Sequence, residues 1–233
     1  MKTFSLRKFA LTLIMGCAAM ATFAQGNVDR QAIKTAIDDW ESCRNVVLTR
    51  NKGCFAIEGS YNFVAQNIPE DLMKKLEELR ENENYIDDVT VTENGLWVIL
   101  YDTNDAAWSA GIPEGLKQAI LEFHENNFYV RSISFNDKGQ WAIVSKQRVK
   151  TYSAEVTDWL KEVSQERGDL WTVTIGENGI LAVFEQWYAS RGDIPQNLID
   201  ELEEPQFDYY RVKFSDNYWF YATEDGDYKY NFE

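Results

Sequence analysis

The stretch Glu93-Asn94-Gly95-Leu96-Trp97-Val98-Ile99-Leu100-Tyr101, continued by Gly111-Ile112-Pro113 and then by Leu116, Ile120 and Phe123, decides the fold. An Asn-Gly-type turn flanked by short runs of period two is a hairpin signature, and Val89-Thr90-Val91 supplies the run on the near side. Pro113 belongs in the first turn of a helix, where its missing N–H costs nothing. Apolar residues at +3, +7 and +10 from that proline form one helical stripe, with charged residues on the opposite face.

The same unit recurs along the chain. Its turn reappears as Asn51-Lys52-Gly53, Asp137-Lys138-Gly139 and Glu177-Asn178-Gly179, and in shortened form as Ser215-Asp216-Asn217. Preceding strands are Ile133-Ser134-Phe135, Val173-Thr174-Ile175 and Val212-Lys213-Phe214; following strands are Phe55-Ala56-Ile57, Trp141-Ala142-Ile143, Leu181-Ala182-Val183 and Trp219-Phe220-Tyr221. A less regular third strand is expected around Phe63-Val64, Trp108, Lys150 to Tyr152 and Tyr188. Ile68-Pro69 and Ile194-Pro195 repeat the helix entry, with Asn67 and Asp193 as expected caps, and Ser153 takes the proline's place in another copy. The stripes are Leu72, Leu76, Leu79; Val156, Leu160, Val163; and Leu198, Leu202. Ile33, Ile37 and Trp40 show the same spacing, so a helix also precedes the first hairpin.

The expected fold is therefore α+β: five tandem αβββ units at about 28–67, 68–111, 112–152, 153–193 and 194–233, within one repeat domain spanning 25–233. A closed, propeller-like toroid is favoured over an open solenoid. Closure packs the first helix beside the last sheet, whereas an open array exposes the aromatic strand Tyr228-Lys229-Tyr230 at its end. The unit at residues 94–123 resembles a tandem repeat of uncharacterised exported bacterial proteins, sometimes propeller-like in layout. The resemblance implies a shared scaffold and brings no catalytic residues, because the matching positions are turn, core and cap positions.

Residues 1–24 are expected to be a cleaved signal peptide. Lys2, Arg7 and Lys8 precede an apolar run from Phe9 to Phe23, and Thr22 and Ala24 are small residues ahead of Gln25. Cys17 is not expected to carry a lipid anchor, because Met15 is unusual in such a motif and few apolar residues precede it. No other stretch approaches the ~18 apolar residues of a membrane span. The periplasm or cell exterior is the expected location, where Cys43 and Cys54 can pair as a disulfide. The 233-residue chain has 23 Lys plus Arg against 38 Asp plus Glu, a net charge of −15, and removing the three cations of the signal takes it to −18. So acidic a surface repels phosphate backbones and anionic headgroups, which argues against nucleic-acid and peripheral-membrane partners.

Candidate chemistry is sparse. His124, the single histidine, sits at a helix end in Glu122-Phe123-His124-Glu125 with no ligand set around it, so no metal is expected. Trp108-Ser109-Ala110-Gly111 lacks the first glycine of a nucleophile elbow. Asp225-Gly226-Asp227 lacks the further oxygens of a calcium loop and suits a turn. Gly168 and Asp193, inside two Arg-Gly-Asp tripeptides, are explained as a helix stop and a cap. No cofactor is expected. Trp97, Trp141 and Trp219 recur in register and belong to the core, whereas Tyr61, Trp108, Trp187 and Tyr188 fall outside the consensus. These four are the candidate ligand contacts, with filling of gaps between units as the alternative. The expected function is a non-catalytic binding or scaffold protein for a protein or glycan. Alternatives are a carboxylate-dependent, glycosidase-like hydrolase, with two acids ~5–9 Å apart in one pocket, and a structural module of an envelope assembly.

Overall fold

The structure is a computed structural model that describes residues 30–49, 53–203, 209–215, 218–223 and 225–232. The expected signal peptide and parts of the first and last hairpin turns lie outside the described residues. Five copies of one unit follow each other. Helix α1 (Gln31–Trp40) precedes β1 (Asn45–Leu48), β2 (Cys54–Glu58) and β3 (Asn62–Gln66). Helix α2 (Glu70–Glu81) leads to β4 (Ile86–Val91), β5 (Trp97–Tyr101) and β6 (Asp105–Trp108), and α3 (Glu114–Glu125) to β7 (Val130–Phe135), β8 (Trp141–Ser145) and β9 (Val149–Thr151). Helix α4 (Ala154–Arg167) leads to β10 (Leu170–Ile175), β11 (Gly179–Phe184) and β12 (Tyr188–Gly192). Last come α5 (Gln196–Glu203), β13 (Arg211–Ser215), β14 (Tyr218–Ala222) and β15 (Tyr228–Tyr230). Each strand triplet is a separate antiparallel sheet in chain order, so the α+β repeat architecture is as expected.

The turn chemistry explains the first hairpins. Gly95 and Gly139 adopt φ of 81° and 77°, a left-handed conformation that a side chain disfavours. The N–H of each bonds back to Thr92 and Asn136, and those residues in turn bond Leu96 and Gln140. Gly179 carries the same letters but a different duty. It already lies in β11, where an added Cβ would stand 2.2 Å from the Asp193 carbonyl oxygen.

Helix entry differs from expectation at Asn67. Pro69 and Pro113 themselves occupy the cap position, with ψ of 140° and 128°, and their carbonyls accept from Met73 and Lys117. An extended proline already offers its carbonyl to the first turn, so no side-chain cap is required. Ser153, which replaces proline, is a true cap and accepts from the Val156 N–H. Gly168 closes α4, as expected, with φ 94°.

Each hydrophobic core lies between two sheets with a helix stripe set into it. Leu72, Leu76 and Leu79 of α2 pack with Phe55 and Ile57 of the first sheet and Val89 and Ile99 of the second. Full burial of such side chains stabilises by roughly 1.5–3 kcal/mol each. Leu116, Ile120 and Phe123 join the second sheet to the third, Val156 and Leu160 the third to the fourth, and Leu198 and Leu202 the fourth to the fifth. The fifth core sets Ile33 and Ile37 of α1 among Val46 and Ala56 of the first sheet and Phe220, Ala222 and Phe232 of the last unit. The first strands of the units meet in the same order: β1 lies against β4 and β13, β4 against β7, β7 against β10, and β10 against β13. Among the described residues no helix is long and apolar enough to cross a membrane.

The expected disulfide is not formed: Cys43 and Cys54 are both free and buried. Hairpin register explains the correction. Leu48 faces Cys54 and Asn45 faces Ile57, so Cys43 lies past the Ile57 end, its thiol donating to the Asn45 carbonyl at 3.5 Å. Cys54 is at the other end, opposite Gln66. Cys54 and Ile57 are three positions apart, about 10 Å of strand, beyond the reach of a disulfide.

Candidate ligand-binding site

The first strand of every unit alternates polar and apolar residues. Val46, Val89, Ile133, Val173 and Val212 enter the cores. Their neighbours Asn45, Asp88, Ser132, Thr172 and Arg211 are buried too, so these polar side chains face one another and not water. They tie adjacent strands together. Asn45 Nδ2 donates to Asp88 Oδ1 at 2.8 Å, and Thr90 Oγ1 donates to the Ile133 carbonyl at 2.7 Å. Ser132 and Ser134 hydroxyls accept from the Val173 and Ile175 N–H groups at 3.3 and 2.9 Å. Thr174 Oγ1 donates to the Val212 carbonyl.

Four charges lie deepest. Arg211, with a side chain 0% exposed, reaches Asp88 Oδ1 at 2.6 Å and Asp87 Oδ1 at 3.3 Å. Lys213 Nζ lies 2.9 Å from the same Asp88 oxygen and donates to Thr90 Oγ1 at 3.2 Å. Burial alone would raise the Asp88 carboxyl; the two cations outweigh it and hold Asp88 below the usual range. Burial pushes Asp87 up, against the opposing pull of Arg211. Burial also pushes Lys213 down, with Asp88 opposing and the neighbouring Arg211 assisting.

One end of this polar column is filled. In the second, third and fourth units the pairing of the first strand shifts by one residue between Ile86 and Asp88, Val130 and Ser132, and Leu170 and Thr172. Such bulges insert Asp87, Arg131 and Trp171 as extra residues at the strand entrance. Asp87 accepts from Tyr129 at 3.1 Å and Tyr210 at 3.4 Å. Arg131 lies 4.3 Å over Trp171 and donates to the Leu170 carbonyl, and Arg44 bonds the Ile86 carbonyl in the same manner.

The other end is open. At the first-hairpin turns a pocket of about 220 Å³ is lined by all five first strands, with Thr90, Ser134, Thr174 and Lys213 deep within it and Glu93, Asp137, Lys138 and Glu177 at its rim, Lys138 pairing with Glu177. Its walls are largely apolar, from Val47, Val91, Phe135 and Ile175 to Phe214 and Trp219. An apolar-walled cleft with a few convergent polar groups has the character of a ligand site.

The four candidate aromatics are elsewhere. Tyr61 is half-buried in the β2–β3 turn, and Trp108 is half-buried at the end of β6, paired with Val98 and packed on the α3 core. Trp187 is 53% exposed at the β11–β12 turn, with the Arg167 guanidinium 4.6 Å above its ring. Beside it, Tyr188 donates to Glu203 at 3.1 Å and rests on the core between the fourth and fifth sheets. Only Trp187 and Tyr188 come together. His124 is exposed, with Nδ1 3.0 Å from the Asn104 carbonyl oxygen, and among the described residues no group of three or more His, Cys, Asp or Glu could hold a metal ion. No protein-family model matches the chain, and no curated protein is significantly similar to it.

Proposed function

We infer that the protein is a non-catalytic, exported binding protein whose five units close as a propeller-like ring and whose ligand enters the pocket between the five first strands. The observation that carries this is the convergence of all five first strands on one pocket, open at the hairpin turns and filled at the far end. Closure is supported by the contact of β1 with β13 and by the core that α1 shares with the first and last sheets. Export to the periplasm or cell exterior rests on the composition of residues 1–24. A volume of about 220 Å³ admits one sugar ring or the end of a peptide, so a glycan or protein ligand is held by a terminus. Asp87 and Asp88, the carboxylates deep in the column, are both ion-paired to Arg211 and neither lines the pocket, which favours binding over hydrolysis by that acid pair.

The test is a pull-down and glycan array with the exported chain beside two variants. Ser215→Trp fills the pocket mouth and abolishes capture, whereas Trp187→Ala, on an exposed turn, leaves capture unchanged. The opposite pattern overturns the pocket and returns binding to the outer aromatics.

A further inference from the structure

The floor of the pocket takes one side chain from each unit: Val47, Thr90, Ser134, Thr174 and Lys213. Three of these have no proton to give. Val47 is apolar, and the Thr90 and Thr174 hydroxyls already donate to the Ile133 and Val212 carbonyls. The other two keep a donor. The Lys213 ammonium carries three N–H groups, and its contacts are Asp88 at 2.9 Å and Thr90 at 3.2 Å. Ser134 Oγ accepts from the Ile175 N–H at 2.9 Å, which leaves the hydroxyl proton to donate. Donors on an enclosed floor call for an acceptor oxygen, because a buried donor without a partner is costly.

Charge decides what carries that oxygen. Arg211, Asp87 and Asp88 do not line the pocket, and with Lys213 they form a contact cluster of two cations and two carboxylates. That cluster is balanced. A charged ligand would bring an ion without a counter-ion into an apolar enclosure, which is a costly transfer. The rim charges are engaged with the neighbouring turns. Lys138 pairs with Glu177 and donates to the Glu177 carbonyl and to Asn178. Asp137 accepts from the Asn94 N–H at 3.0 Å, and Glu93 accepts from Ser215 Oγ at 3.4 Å. These bonds tie turn to turn around the mouth. Between rim and floor, Val91, Phe135, Ile175 and Phe214 present apolar walls, so the body of the ligand is apolar as well. A carbonyl oxygen, with two lone pairs and no hydrogen of its own, matches the two floor donors one for one.

We propose that the central pocket binds an uncharged, mainly apolar group that presents a carbonyl oxygen, accepting from Lys213 Nζ and Ser134 Oγ at the floor. This rests on the pocket reading above and specifies the end of the ligand that enters.

Titration calorimetry and thermal-shift measurements on the exported chain test it with four probes built on one ring: cyclohexanone, methylcyclohexane, cyclohexanecarboxylate and cyclohexylammonium. Cyclohexanone binds and raises Tm; the other three bind about tenfold or more weakly, the loss expected for a missing charge-assisted hydrogen bond or a buried unpaired ion. The infrared carbonyl stretch of bound cyclohexanone falls below its value in hexane, as an oxygen accepting hydrogen bonds requires. Ser134→Ala and Lys213→Met each lower cyclohexanone affinity towards that of methylcyclohexane and leave the hydrocarbon's own affinity unchanged. The infrared shift is read on the unaltered protein and reports even if the lysine variant fails to fold. Equal binding of ketone and hydrocarbon, tighter binding of either ion, an unshifted carbonyl band, or no binding by any probe overturns the carbonyl ligand. If the probes fail while Ser215→Trp still abolishes capture of the protein's partner, the carbonyl ligand is overturned and the pocket stands. Capture unchanged by Ser215→Trp refutes the pocket and the carbonyl ligand together.

Discussion

Replacing Asp88 by Ala removes the carboxylate that Arg211 and Lys213 share. Asp88 is 2% exposed, is ion-paired with both cations, and accepts from Asn45 Nδ2 at 2.8 Å and from the Ile133 N–H at 3.4 Å. Breaking a buried pair by deleting one partner costs about 3–5 kcal/mol, because the surviving charge is left buried without compensation. Against a total stability of about 5–15 kcal/mol this is a large fraction, and at about 2–4 °C per kcal/mol for a chain of this size it lowers Tm by about 6–20 °C. Urea unfolding followed by tryptophan fluorescence measures the loss directly. Adding Lys213→Met to Asp88→Ala removes one uncompensated cation, so the double variant is more stable than the single one. Protonation repeats the experiment without mutation. The folded-state carboxyl of Asp88 is held low, so its stabilisation is present above the unfolded carboxyl pKa of about 3.9. It is lost as pH falls through the folded value, and the Asp88→Ala protein lacks that part of the acid limb. A loss below about 1 kcal/mol, typical of a surface pair, would refute the view that units two and five are joined through a desolvated ion cluster.

Trp187→Ala leaves stability within about 0.5 kcal/mol, whereas Trp108→Ala, half-buried on the α3 core, costs about 2 kcal/mol, part of the full large-to-small penalty; chemical denaturation separates them. Burial pushes the Cys43 thiol up to about 12 and Cys54 up to about 11, so iodoacetamide modifies neither in the folded protein. Both are alkylated in denaturant without reductant, as read by intact mass. Deleting residues 25–44 uncovers Phe220, Ala222 and Phe232, which pack on α1; the truncated chain loses cooperative unfolding in calorimetry, and an unchanged transition would show that α1 is peripheral.

The repeat, its hairpins and its helix stripes were legible because each rests on local chemistry: a turn that needs a left-handed glycine, strands of period two, and stripes of period near 3.6. The cysteines were misread for a reason of the same locality. Ten intervening residues look like a short tether, but a hairpin folds them back and carries Cys43 and Cys54 to opposite ends of their strand pair. The pocket was half legible. Thr90, Ser134, Thr174 and Lys213 are the polar middle residues of the strands that define the repeat, yet period two alone does not say whether a polar face meets water or other polar groups. The clearer signal was the charge in mid-strand, Asp87-Asp88 in one unit and Arg211 and Lys213 in another. Their pairing across more than 120 residues has no local pattern by which a linear sequence could announce it.

Repetition itself accounts for where specificity falls. The core positions of the first strand are near-copies, Val46, Val89, Ile133, Val173 and Val212, because each fills the same gap between sheets and any change of volume is felt there. The adjoining position differs in every unit: Asn45, Asp88, Ser132, Thr172 and Arg211. These five residues are pressed together by the meeting of the first strands, so they cannot all be alike. Five carboxylates or five guanidinia at that spacing would repel, and five apolar residues would leave no polar directionality. Units equal in their cores thus become unequal where they meet, and two acids facing two bases set which unit lies across from which. Polar residues that differ from unit to unit can thus change without disturbing the five cores that hold them in place.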